Sequence, residues 1–294
     1  MKKTLALFCI TAHTILSVIF TSPLFAFDWP QQEIASESLF SYFGQLRGNT
    51  ISTSIIFRNS ATIHPTDAGK IVGIITEHDD DLGWYNSTLG NAVIIAHKDN
   101  IISVYANLDE ESLSPNLTQL QSVTTDTELG TSGSSGWMQG ESCLEFQILD
   151  IYQQTAINPR ILMPRTNKEL DIHIGNLSAV SKKGVEYDFR VTQTLPAGQY
   201  YIYRTRQETV TPYQTTVSIN GTVVETIKYD LLKQENQRVA VIGNKSYPLE
   251  KVYPNDKKHL IADLTLTRGR NVLSVIATDL MGQNHTVSYT LNVQ

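Results

Sequence analysis

The stretch GNAVIIAHKDNIISVYANL, residues 90–108, constrains the fold of this chain more than any other. Asn91–His97 and Ile101–Asn107 are two apolar, β-branched runs with only Lys98-Asp99-Asn100 between them. Three residues leave no room for a crossover, so the runs must lie antiparallel as a hairpin. Asp and Asn suit such a turn because their short polar side chains tolerate φ > 0.

The same pattern repeats along the chain. Ile71–Thr76 follows a turn at Asp67-Ala68-Gly69, and the glycine-serine loop LGTSGSSG at 129–136 leads into a strand over Ser142–Leu149. No window shows helix-period apolar spacing. After Asn158-Pro159 and Pro164-Arg165, the polar stretch Thr166–Glu169 reads as a linker. Beyond it, TTVSING (215–221), VAVIG (239–243), HLIADLTL (259–266), NVLSVIATD (271–279) and HTVSYTLNV (285–293) are further strands. Their spacing and Asn-Gly and Arg-Gly-Arg turns predict a sandwich. The ending RGRNVLSVIATDLMGQNHTVSYTLNV resembles bacterial immunoglobulin-like domains. The expected fold class is all-β throughout, divided into residues 1–26, 27–165 and 166–294.

Lys2 and Lys3 precede an apolar run to Phe20, and Leu24-Phe25-Ala26 supplies a small residue for cleavage. That is the layout of a secretory signal peptide. Thr11, His13, Thr14 and Ser17 weaken the run as a membrane anchor, and no later segment is long and apolar enough to span a bilayer. The expectation is an exported chain, in the periplasm or cell envelope. Its net charge of −6 becomes about −8 without Lys2 and Lys3. This argues against nucleic acid or anionic lipid as partners, since both need clustered Lys and Arg. Of two cysteines, Cys9 lies in the signal segment, so Cys143 has no intrachain partner. Stability then rests on ordinary cores, which a 41% hydrophobic content permits.

Five pieces in order resemble the LytM-type, M23 family of zinc peptidases, which cut cell-wall cross-links. Trp29-Pro30 and Phe43-Gly44 are similar to the family's opening. Ile63-His64-Pro65 with Gly69-Lys70-Ile71 is similar to its next strand pair, and the 90–108 hairpin is similar to "G-N-x-V-x-I-x-H … Y-x-H-L". LGTSGSSGWMQGESCLEFQI (129–148) is similar to "I-G-x-x-G … H-L-H-F-E-I", and Asn158-Pro159 is similar to the closing "N-P". The resemblance implies a β-sheet core of the duplicated hybrid motif over 27–165.

The same resemblance implies that the working residues are replaced. The first ligand segment "H-x-G-x-D" falls on Thr53–Phe57, so Thr53 and Phe57 stand at metal positions. The catalytic histidine of "Y-x-H-L" falls on Asn107. In "H-L-H" the first histidine falls on Cys143 and the last ligand on Glu145, while Gln147 replaces a glutamate. His97 matches a histidine of the hairpin and not of the metal. Zinc hydrolysis needs about three strong ligands and an open position for water. Thr, Phe and Asn side chains do not supply these. Strand alternation predicts Cys143, Glu145 and Gln147 on a groove face with Asn107, and Leu144, Phe146 and Ile148 in the core.

Sharper readings compete. Cys143 and Glu145 are chemically able to bind zinc, but a third ligand would have to come from His64, Asp67 or residues 53–60. A nucleophilic Cys143 would need a base such as His64, and Glu145 nearby disfavours the thiolate. His78-Asp79-Asp80-Asp81 reads as a solvated loop more readily than a calcium site. His64, His173, His259 and His285 read as structural, and Tyr200, Tyr201 and Tyr203 as sheet packing rather than a sugar platform. The expected function is a catalytically inactive binding or regulatory module of the envelope, without cofactor. Its expected partner is peptidoglycan or a cell-wall hydrolase, since degenerate LytM domains activate wall amidases in some bacteria. The alternatives are a zinc metalloendopeptidase with a rewired metal site, and a structural envelope protein.

Overall fold

The Asn91–Ala96 and Ile101–Leu108 strands form the expected hairpin, with Ile94 opposite Val104. Asp99 and Asn100 take φ of 58° and 63°, the left-handed pair that a two-residue turn matched to strand twist requires. This comes from a computed structural model that describes residues 27–294 except 33, 78–85, 137–141 and 167. The signal segment and His78-Asp79-Asp80-Asp81 lie outside the described residues. So do residues 79–85 and 137–140 of the two loops flanking the expected groove.

The hairpin has a partner strand on each side. On one side it pairs with Lys70–Ile75, and on the other with Glu145–Asp150, from Glu145 opposite Ala106 to Asp150 opposite Ile101. The Ile55–Phe57 strand caps this end, with Ile56 opposite Glu145. The described chain is nearly all β; the four-residue helices Pro159–Leu162 and Leu249–Val252 are minor additions. The Asn-Pro motif starts the first of these. The Asn158 side chain accepts from the Arg160 amide as N-cap, and Pro159 takes the first helical position, where an N–H is not needed.

The second half supplies two sheets. One contains Gln214–Ile219, Thr222–Glu235, Gly269–Thr278 and Asn284–Val293; the other contains Leu177–Ser181, Glu186–Asp188, Gly198–Thr205 and Lys258–Leu266. In the Ala-x-Asp-x-x-Gly segment the buried Asp279 carboxylate accepts from the amides of Met281 and Gln283, which shapes the turn between the last two strands.

The two halves share a sheet. The Thr155–Ile157 strand pairs with Leu231–Lys233, so a 14-stranded sheet runs from one half into the other, and a single buried apolar cluster extends from Phe27 to Val293. In the stretch expected as a linker, the described residues are held in place: Ser36 Oγ donates to the Lys168 carbonyl, and the buried Glu169 carboxylate pairs with Arg160. A polar segment reads as solvated until its charge meets a partner from elsewhere in the chain.

Candidate functional site

The face expected to form a groove is built from the end of the Glu145–Asp150 strand, the residues before Ile55–Phe57, and the turn after Ile101–Leu108. Alternation holds along 142–148: Leu144, Phe146 and Ile148 are buried in the main apolar cluster, and Cys143, Glu145 and Gln147 share the opposite face. That face is not open along its length. Cys143 and Asn107 are each 1% exposed and Glu145 is 8% exposed, which leaves Gln147 as the partly exposed member of the four.

Asn107 acts as a staple. Its backbone sits at φ 65°, a conformation that asparagine tolerates and a β-branched residue would not. Its Nδ2 donates to the carbonyls of Gly133 (2.5 Å) and Cys143 (2.7 Å) and lies 3.4 Å from the Cys143 Sγ, while its Oδ1 accepts from the Gly136 amide at 2.7 Å. The side chain thereby ties three segments together. Cys143 is buried and packs against Ile56, with the Asn107 amide on its Sγ.

Glu145 carries the decisive contact. Arg47 Nη1 donates to its Oε1 at 2.5 Å and Nη2 to its Oε2 at 2.9 Å, a two-pronged guanidinium–carboxylate pair. Ser54 Oγ donates to Oε1 at 2.8 Å, and Arg47 Nη1 also reaches Ser54 Oγ at 3.3 Å. Arg47 stands on the short strand Leu46–Arg47, which pairs with Thr50–Ile51 through a turn at Gly48, whose φ is 56°. The turn presents the guanidinium to the carboxylate. The side chains of Arg47 and Glu145 are 24% and 10% exposed. Sequence reasoning missed Arg47; the available signal was an arginine followed by a Gly-Asn turn in the segment due to supply ligands.

The expected first-ligand positions fall differently. Phe57 is fully buried in the core, edge-on to Trp29, and does not face Glu145. Thr53 accepts a hydrogen bond from Gln147 Nε2, one step along the face. From this segment it is Ser54 and Ile56 that stand beside Glu145 and Cys143. A bend at Ser54 resets the alternation, so even spacing from Thr53 to Phe57 does not keep them on one face. His64, weighed as a third ligand, and His97, matched to the hairpin, both meet protein partners. His64 Nδ1 meets the Thr127 carbonyl at 3.1 Å, and His97 bridges the Ala68 carbonyl (3.0 Å) and Ser103 Oγ (2.7 Å). Ser103 Oγ lies in turn 3.1 Å from the Tyr105 hydroxyl, whose pKa burial pushes up. Asp67 is turned to the Ala68 amide. Among the described residues no group of three His, Cys, Asp or Glu side chains is gathered.

The zinc implied by the resemblance does not fit this donor set. A divalent cation at Glu145 would meet a guanidinium already bound to both carboxylate oxygens, with a hydroxyl and an isoleucine as neighbours. Like charge opposes it, and so does the want, among the described residues, of a gathered set of three His, Cys, Asp or Glu side chains.

Residues 53–159 match the model of Peptidase family M23. Residues 171–294 match a second family model. A protein of Treponema pallidum (strain Nichols), described as uncharacterized, is 26% identical over 131 residues, covering 42% of this chain and 86% of that protein. Among solved structures, a zinc-containing peptidase from Vibrio cholerae is 20% identical with a TM-score of 0.33, covering 42% of this chain and 36% of its own. The SpoIIQ–SpoIIIAH pore-forming complex is 19% identical with a TM-score of 0.32, covering 49% of this chain and 94% of its own. Overlap this small assigns no function.

Proposed function

We propose that this chain is an exported, catalytically inactive M23-like protein that serves the cell envelope as a binding or regulatory module. The observation that carries the reading is the occupation of Glu145 by Arg47 and Ser54. Metal-assisted hydrolysis needs an ion with an open coordination position to sharpen water and polarise a carbonyl. Here the family's last ligand position is a carboxylate saturated by a fixed cation. Asn107 and Cys143, at the positions of the helper histidines, are spent on each other and on loop carbonyls. The signal-like leader supports export, and the M23-like sheet supports peptidoglycan or one of its hydrolases as the partner.

The test is a cleavage assay beside a capture assay. Exported chain incubated with cross-linked peptidoglycan releases no peptide fragments, with or without added zinc. The same chain immobilised retains muropeptides or a cell-wall hydrolase. Zinc-dependent release of fragments, lost in Glu145→Ala, overturns the inactive assignment. Failure to retain either class of partner overturns the binding assignment.

A further inference from the structure

We infer that Arg47 is a resident cation that takes over, at Glu145, the charge-compensating place of a divalent metal, so that this face of the sheet is closed and stabilised without any ion. The inference deepens the proposed function and rests on the same cluster, but it concerns what holds the fold rather than whether peptide is cleaved.

Three observations converge. The carboxylate is 8% exposed and sits where the M23 resemblance puts a metal ligand, so a charge is taken out of water at that point and must be compensated. The compensation is directional: both guanidinium prongs meet both carboxylate oxygens, and Ser54 adds a third donor. It also comes from far along the chain, since Arg47 and Glu145 are 98 residues apart. The pair therefore fastens the Leu46–Ile51 hairpin across the sheet, as a metal bridging two segments does. A guanidinium cannot lose its proton in this range and has no open position for water. It supplies the charge of an ion without its Lewis acidity.

The arrangement makes stability independent of metal and dependent on the pair. The exported chain is compared with Arg47→Ala, Arg47→Lys, Glu145→Gln and the double variant Arg47→Met/Glu145→Leu, by thermal unfolding in chelator and in zinc, with bound metal measured on each. Chelator and zinc leave the wild-type midpoint unchanged. Arg47→Ala lowers it by about 8 °C, because one charge is left buried alone. Arg47→Lys lowers it by less, since the charge stays and the fork is lost. The apolar double variant recovers at least half of the loss. Should Arg47→Ala fail to fold, Arg47→Lys and the double variant carry the test. Stoichiometric zinc in the wild type, with a midpoint that falls in chelator, overturns the inference. So does a double variant as damaged as Arg47→Ala, which would make Arg47 a packing residue. Zinc uptake without cleavage of peptidoglycan would defeat this inference and leave the inactive reading standing, so the two fail separately.

Discussion

An arginine from each half of the molecule is tied to a buried polar cluster, Arg47 half-buried and Arg204 fully buried, and the two are accommodated in opposite ways. In the first half Arg47 meets a carboxylate prong for prong. In the second half Arg204, 2% exposed, has no acid among its hydrogen-bond partners: Nε donates to His259 Nδ1 and Nη1 to the His173 carbonyl, each at 3.1 Å. Nη2 makes no hydrogen bond to the described protein atoms. Because Nε–H occupies Nδ1, the imidazole proton belongs on Nε2, where it faces the Tyr229 hydroxyl. The Tyr253 ring stacks on His259 with centroids 4.8 Å apart, and its hydroxyl donates to the Gly44 carbonyl at 2.7 Å, back in the first half. Burial pushes Tyr229 well up and Tyr253 to about 12, so both remain protonated donors. One arginine is neutralised by charge and the other is solvated by dipoles and rings. In the first the partner matters more than its surroundings; in the second the surroundings are the partner.

The largest expected effect comes where the second cluster rests on the first half. Gly44 has φ +83°, and a Cβ there would lie 2.2 Å from Tyr229 Cδ1. Gly44→Ala combines left-handed strain with overpacking against a buried ring, an expected loss of about 4 kcal/mol. Urea unfolding of the exported chain measures it, and near-ultraviolet circular dichroism reads the tyrosine packing. A loss below about 1 kcal/mol would mean that Tyr229 moves aside cheaply and that the aromatic cluster is not anchored on Gly44.

A smaller effect separates the two arginines directly. Arg47→Met leaves the Glu145 carboxylate buried with its fork gone, at a cost of about 3 kcal/mol. Arg204→Met keeps the volume, removes a charge that no acid compensates, and leaves two neutral acceptors unpaired, at a cost of about 1–2 kcal/mol. The contrast is read from unfolding midpoints at one pH. Equal losses would erase it, and a larger loss for Arg204 would show that the dipolar shell binds its cation more strongly than a carboxylate does.

Features set by neighbours in sequence were legible. The 91–108 hairpin followed from two β-branched runs and an Asp-Asn turn, and the core face of 144–148 from simple alternation. Features set by distant partners were not. Nothing local shows that Arg47 will meet Glu145, since the pairing depends on a two-stranded hairpin and on register across the sheet. The bend at Ser54 displaced Phe57 from the expected face for the same reason: periodicity gives faces only while the strand stays regular. The seam was hidden because Thr155–Ile157 is three residues long, too short to announce a strand shared with Leu231–Lys233. His259 read as one more structural histidine, and only the fold shows what it holds.

The finest test of the contrast is pH. Burial, followed by the positive charges of Arg204 and Arg206, holds His259 well below the ordinary 6.5. Among the described residues, the other titratable groups against the ring are Tyr229, through its hydroxyl, and Tyr253, through its stacked ring, both neutral in this range. Below 6.5 the unfolded chain takes up a proton at this imidazole that the folded chain refuses, so unfolding binds protons and stability rises with pH. The contribution is complete above 6.5 and is lost as pH falls below it, with a limiting slope of about 1.4 kcal/mol per unit until the folded-state pKa is reached. Other groups titrate on the acid side, so the informative quantity is the difference from His259→Gln, which removes the imidazole and should flatten the profile between pH 6.5 and 5. Arg204→Met should raise the pH at which the loss levels off, without abolishing the loss, because burial remains after the cation is gone. Arg47→Met should leave this part of the profile unchanged. A wild-type profile parallel to that of His259→Gln would mean that the imidazole accepts its proton in the folded state, and the second cluster would then hold two cations rather than one.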